Sequence, residues 1–321
     1  MMHTYMSIIT SQQISAYYDQ YANSEITFTK DIIKATLLYP KQVCLKCMGY
    51  QWPCIIYSSS MNSAKIIVNM KDSLKAMIKK ANNVVSLRFS FIQRDKADPV
   101  TFLVSAKIVS YTPYSRENQS LVFLTLQYTQ RPADGLIEIL GQVLEAHANS
   151  TNRRDERITI TEASEKILGF GARNAQISIQ GVPRKCILRD VSFGGAKVII
   201  MGVAKFILNK DAVLRISIPD PPENIDIPGT VIRFEAVEGR NDIAAFAIQF
   251  HQDHVPAKYK MRVNSYIRAS QSPKARAKAQ AEERERLASA TRAKTEAGVR
   301  AKRDEQARRN TDTGNDPAAE R

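Results

Sequence analysis

The hydrophobic pattern of this chain changes period twice. Residues 43–48, 53–57, 64–70, 84–92, 100–111 and 120–128 are rich in Val, Ile, Leu, Phe and Tyr, and several alternate apolar with polar. That is the period of strands with one face buried. Residues 71–81 interrupt them with Leu74, Met77 and Ile78 at helical spacing, and upstream Thr29 is placed to cap a short helix. The stretch before it is polar. From Pro132, Leu136, Ile137, Leu140, Val143 and Leu144 follow the spacing of a helix packed on a core, ending near Ala148-Asn149-Ser150. A second run of strands follows at 175–180, 186–191, 196–201, 213–218, 227–236 and 243–251. Gly194-Gly195, Pro219-Asp220-Pro221-Pro222 and Glu238-Gly239-Arg240-Asn241-Asp242 supply turns. Residues 256–269 then read as a closing helix with Tyr259, Val263, Tyr266 and Ile267 as its apolar face.

Six short strands without alternating helices argue for an antiparallel barrel rather than a parallel sheet. The expected fold is mainly β: two β-barrels, the second six-stranded and antiparallel, with flanking helices. The expected domains are 1–150 and 151–270, divided at polar Asn149 to Asn152, followed by a basic low-complexity tail over 271–321. Leu287 and Val299 are the tail's only large aliphatic residues, so it reads as a flexible or partly helical extension without a core.

At 321 residues, the chain has room for two or three cores. Its 46 Lys and Arg against 32 Asp and Glu give a net charge of +14. The excess is +5 over 1–150, +5 over 151–270 and +4 over 271–321. A groove that tracks a long polyanion concentrates its charge and interleaves aromatics. This even spread makes nucleic acid a weak partner. No run approaches the roughly 20 apolar residues of a spanning helix, and the first twelve residues lack the layout of a secretory signal. Four cysteines, Cys44, Cys47, Cys54 and Cys186, lie mostly in strand-like sequence, as expected of reduced thiols in a cytoplasmic protein. Cys44-Leu-Lys-Cys47 has metal-clip spacing but no second ligand pair, so no metal is expected.

Two motifs carry chemistry. Arg153-Arg154-Asp155-Glu156-Arg157 is an R-x-x-x-R spacing at the domain boundary. Asp190-Val191-Ser192-Phe193-Gly194-Gly195 is a D-x-S-x-x-G spacing between two strands. Alone, the first arises by chance in a basic chain and the second is a good turn. In this order, within a six-stranded barrel, they resemble the PilZ domain, the receptor module for cyclic di-GMP. The resemblance covers roughly 152–269, with the later strands at Gly229-Thr230-Val231-Ile232-Arg233 and Ala247-Ile248-Gln249-Phe250. It implies that Arg153 and Arg157 wrap the ligand, with Arg154 as a further contact. Asp190, Ser192, Gly194 and Gly195 would meet it from the barrel.

The chemistry is coherent. The ligand carries two phosphodiester charges and two guanines, and guanidinium both pairs bidentately with phosphate and reaches guanine O6 and N7. A carboxylate and a hydroxyl contact a guanine edge, and glycine permits close backbone approach. Arg233 is read as an exposed strand arginine. The stretch 161–173 is longer than the family's usual link, and Ala163, Ile167 and Leu168 suggest a short helix there.

Residues 1–150 resemble, less specifically, the N-terminal PilZ-like barrel of two-domain receptors of the flagellar-brake kind. They lack both motifs and are not expected to bind the nucleotide. The resemblance implies a cytoplasmic effector in which ligand reorients one barrel against the other. It would regulate motility or a related behaviour through a protein partner such as a flagellar motor component.

An enzyme is disfavoured. Gly169-Phe-Gly171-Ala-Arg-Asn174 lacks the third glycine of a dinucleotide fingerprint and leads into a strand. His251-x-x-His254 is a lone pair, and Asp155 and Glu156 are better placed as charge partners of the flanking arginines than as an acid and base. No catalytic residue, cofactor or membrane insertion is expected. The competing reading is a nucleic-acid-binding or scaffolding two-barrel protein.

Overall fold

The structure is a computed structural model that describes residues 10–93, 96–114, 120–201, 207–220, 222–237 and 240–271. The tail from 272 onward, Pro221 and the Glu238-Gly239 turn lie outside the described residues.

Helix α1 (Ser11–Gln20) opens on a capping box: Thr10 Oγ1 accepts the Gln13 N–H while the Gln13 side chain accepts the Thr10 N–H. Strand β1 (Ile26–Thr27) leads to α2 (Lys30–Thr36), capped as expected by Thr29, which accepts the Ile32 N–H at 3.3 Å. Then come β2 (Cys44–Cys47), β3 (Tyr50–Ser59), β4 (Ser63–Asn69), α3 (Asp72–Lys80), β5 (Val84–Phe91), β6 (Val100–Pro113) and β7 (Leu121–Tyr128). Six of these strands run in the order β3-β2-β5-β6-β7-β4, and pairing of β3 with β4 closes the circle. β1 is appended to β3. Closure gives every strand of the circle two partners, so no edge is left open. Met48 and Gly49 join β2 to β3 with φ of 47° and 82°, the positive values a two-residue hairpin requires. Leu87, Phe89, Ile66, Leu124 and Leu126 fill the interior, and α3 adds Leu74.

Helix α4 (Asp134–Asn152) buries Leu136, Ile137, Leu140, Val143 and Leu144, the residues its periodicity singles out. It runs further than the polar sequence suggests. Asn149 to Asn152 form its last turn, and the Arg153 N–H closes it on the Asn149 carbonyl at 2.8 Å. The short segment after the helix therefore begins at Arg153.

The second barrel comprises β8 (Ile158–Thr159), α5 (Glu162–Leu168), β9 (Gly171–Ile179), β10 (Val182–Val191), β11 (Gly195–Met201), β12 (Asp211–Pro219), β13 (Pro222–Val237) and β14 (Arg240–Phe250). Its closed order is β11-β14-β13-β12-β9-β10, sealed by β10 with β11, and β8 lies along β10. On β12, Ala212, Leu214, Ile216 and Ile218 point inward while the residues between them face outward. The short helix expected within 161–173 is α5, capped by Thr161.

Helix α6 (Ala257–Gln271) follows a short turn. Its Tyr259 is fully buried, stacked on Phe170 at 5.8 Å and edge-on to Phe250 at 5.6 Å. The helix also touches the first half of the chain. Asn264 donates to Glu145 Oε2 at 2.7 Å and accepts from Asn149 Nδ2 at 2.7 Å, while Tyr17 donates to the same carboxylate oxygen at 3.0 Å. Asp31 accepts the Ala257 N–H at 2.7 Å. Glu223 pairs with both Lys34 of α2 and Lys258 of α6.

Candidate functional site

The two motifs meet. The chain leaves α4 at Arg153, crosses five residues and pairs as β8 with the end of β10, placing Ile158 opposite Val191 and Thr159 opposite Asp190. Within that crossing the Arg154 carbonyl accepts the Gly194 N–H at 2.9 Å. Three residues on, Arg157 Nη1 donates to Asp190 Oδ1 at 2.7 Å. The Arg157 side chain is half exposed, so this ion pair is worth only ~0–1 kcal/mol. It is easily exchanged for another anion. Arg153 is not drawn to the turn: its guanidinium sits 3.5 Å from Glu156 of its own segment, the carboxylate expected to partner a flanking arginine.

The turn from β10 to β11 is held from within. Ser192 Oγ accepts the N–H groups of Gly194 at 3.2 Å and Gly195 at 3.1 Å, and it donates to the Gly195 carbonyl at 3.3 Å. Ser192 is only 5% exposed. The buried Tyr259 hydroxyl donates to the Ser192 carbonyl at 2.7 Å, and the Gly194 carbonyl accepts the Phe250 N–H at 2.9 Å. Burial, followed by the charge of Asp190, pushes the Tyr259 phenol above its ordinary range, so it remains a donor.

Close approach of other parts of the protein requires both glycines. A Cβ at Gly194 would lie 2.8 Å from Arg154 Cγ and 3.1 Å from the Arg154 carbonyl. A Cβ at Gly195 would collide with the Ile248 carbonyl of β14. The first glycine lets the crossing segment lie on the turn, and the second lets β11 close against β14.

Sequence reasoning did not single out Tyr259 as the support of the turn, nor Lys197 and Glu235 beside it. Lys197 lies directly across from Asp190 and reaches Glu235 Oε2 at 2.5 Å. Arg233, exposed as expected, pairs with Glu235 at 3.1 Å. The signal for Lys197 was its place in the strand that follows the D-x-S-x-x-G turn.

All four cysteines are free and buried, with Cys44 and Cys47 on β2. His251 Nε2 lies 3.0 Å from Thr230 Oγ1. Among the described residues no three His, Cys, Asp or Glu side chains gather to hold a metal ion, and no helix is long and apolar enough to cross a membrane.

Residues 12–147 match the model of the PilZN3 domain, and residues 171–269 match that of the PilZ domain. A Treponema denticola protein named cyclic di-GMP binding protein is 41% identical over 268 residues, which are 84% of this chain and 85% of the relative. Among solved structures, that of Borreliella burgdorferi PlzA in complex with c-di-GMP is 26% identical with a TM-score of 0.37, covering 80% of this chain and 98% of that one. That of YcgR from Escherichia coli, also in complex with c-di-GMP, is 13% identical with a TM-score of 0.26, covering 78% of this chain and 90% of that one. The two domain matches and the Treponema relative together show that the chain belongs to the PilZ family, with a PilZN3 domain ahead of its PilZ domain.

Proposed function

We propose that the protein is a non-catalytic cytoplasmic receptor for cyclic di-GMP, which binds between the Arg153–Arg157 segment and the Asp190–Gly195 turn. The observation that carries this reading is the adjacency of the two motifs, joined by the Arg157–Asp190 pair at 2.7 Å and the Gly194 to Arg154 hydrogen bond at 2.9 Å. The name of the Treponema relative supports the choice of ligand.

In this reading Arg157 exchanges the Asp190 carboxylate for a phosphodiester oxygen, which frees Asp190 to accept from a guanine edge. Arg153 leaves Glu156 to complete the wrap, and Arg154 adds a further cation. Ser192, Gly194 and Gly195 hold the turn in shape rather than contacting the ligand through side chains. The working domain frame is a PilZ-like barrel over 1–150, a nucleotide-binding barrel over 151–270 and a tail over 271–321.

The response passes through α6, which touches the turn by Tyr259 and α4 by Asn264. A ligand that shifts the turn reorients the barrels and alters the surface offered to a protein partner, in motility or a related behaviour.

Calorimetric titration with cyclic di-GMP tests the reading. Wild type should bind at micromolar affinity or tighter. An Arg153→Ala/Arg157→Ala double variant should lose at least ~10-fold, because two charge-assisted contacts are removed. Equal binding by both proteins would defeat the residue assignment.

A further inference from the structure

On the outer wall of the second barrel, next to the turn, the strand register sets charged residues, two alanines and two isoleucines in two rows. Asp190 of β10 faces Lys197 of β11, Lys197 faces Ala247 of β14, and Ala247 faces Arg233 of β13. In the second row Ile187 faces Ile199, Ile199 faces Ala245, and Ala245 faces Glu235. Lys197 and Glu235 therefore belong to strands with β14 between them, about 10 Å apart at the backbone by strand spacing. Their side chains nevertheless meet at 2.5 Å. They bridge across β14 over a floor of Ala245 and Ala247, which keep only 8% and 6% of their exposure. A larger side chain at either alanine would stand in the path of the bridge.

The electrostatics are concentrated at the same place. The Glu235 carboxyl is held below its ordinary range, first by the Lys197 hydrogen bond, then by the charge of Lys197 and those of Arg233 and Arg157. Two cations, Lys197 and Arg233, thus pair with one carboxylate, and the arginine that holds Asp190 acts on it by charge alone. An ion pair this exposed contributes little to folding. Its value lies in what it covers.

We propose that this alanine-floored trough is a continuation of the nucleotide site, in which Lys197 and Arg233 bind a phosphodiester oxygen of cyclic di-GMP at the position Glu235 now occupies. Glu235 is then an internal competitor. It neutralises the two cations in the free protein and must swing aside when the ligand's two negative charges arrive. The alanine floor gives a flat purine or ribose an apolar surface once the bridge opens. This inference rests on the receptor reading above.

Titration of four full-length proteins with cyclic di-GMP tests it, with thermal melts to confirm folding. Glu235→Gln removes the competing charge and keeps the shape, and should tighten binding about 3-fold to 10-fold. Lys197→Ala should weaken it about 5-fold or more, with a shallower dependence on salt. Ala247→Val, which fills the floor without changing charge, should also weaken binding. If Glu235→Gln, Lys197→Ala and Ala247→Val all bind as wild type does, the trough lies outside the site and the inference is overturned, while the receptor reading stands. Absence of binding by wild type overturns both.

Discussion

Tyr259→Phe isolates one hydrogen bond beneath the turn. The ring it retains keeps the stack on Phe170 and the edge contact with Phe250, so no cavity opens. What is lost is the hydroxyl that donates to the Ser192 carbonyl at 2.7 Å from a fully buried position. Leaving a buried carbonyl without its donor costs about 1–3 kcal/mol. For a folded region of this size each kcal/mol is worth about 2–4 °C in melting temperature, so calorimetry should show a drop of roughly 2–12 °C. Urea titration should show a lower midpoint with an unchanged slope. Because burial and the nearby Asp190 charge keep the phenol protonated, the loss should be the same from about pH 6 to pH 9. Cyclic di-GMP affinity should fall as well, since the turn that presents Asp190 loses its support. A variant with wild-type melting temperature and wild-type affinity would refute the argument that α6 holds the turn.

Burial works to raise the Glu223 carboxyl, but the hydrogen bonds and charges of Lys258 and Lys34 outweigh it and hold the group below its ordinary range. A depressed folded value stabilises the fold above the unfolded carboxylate pKa of ~4.3 and is lost as pH falls through the folded value. Glu223→Gln should therefore melt below wild type at neutral pH, with the gap closing in acid. Parallel melting curves across that range would contradict the assignment. Burial pushes the Cys54 and Cys186 thiols up to about 12. At pH ~8 only about one in ten thousand is then thiolate, so a disulfide reagent should label both no faster than the protein unfolds. Rapid labelling of either in the native state would show that it is not buried.

The barrels were legible because their strands alternate, and a closed antiparallel sheet rewards that alternation at every position. Helix α4 was legible for the same reason at a different period, although its end was not. Asn149 to Asn152 read as a domain boundary because polar residues at a helix terminus look like coil, whereas here they continue the hydrogen-bond ladder and Asn149 also binds Asn264. Helix α1 was missed because its one buried residue is Tyr17. The Thr10 and Gln13 capping box was the signal available for it. β1 and β8 are two residues each and exist only through their partners.

At the site, the sequence supplied the two motifs, and the fold brings them side by side. Gly194 and Gly195 were read as permitting close backbone approach, and what the sequence could not show is that Arg154 and β14 themselves lie that close. Ser192 was read as a ligand contact, and its hydroxyl is engaged inside the turn. Tyr259 was read only as core, because a tyrosine's buried face leaves no trace in sequence of the carbonyl its hydroxyl meets. Lys197 and Glu235 lie 38 residues apart and are brought together only because β14 pairs with both of their strands.

The measurement that bears most directly on the central claim is a crystal structure of the full chain with cyclic di-GMP bound. The account predicts nucleotide density on the outer wall of the second barrel. Arg157 should be turned from Asp190 to a phosphodiester oxygen, and the Asp190–Gly195 turn should lie against a guanine. Nucleotide seated on the first barrel, or bound while the Arg157–Asp190 pair stays closed, would contradict it.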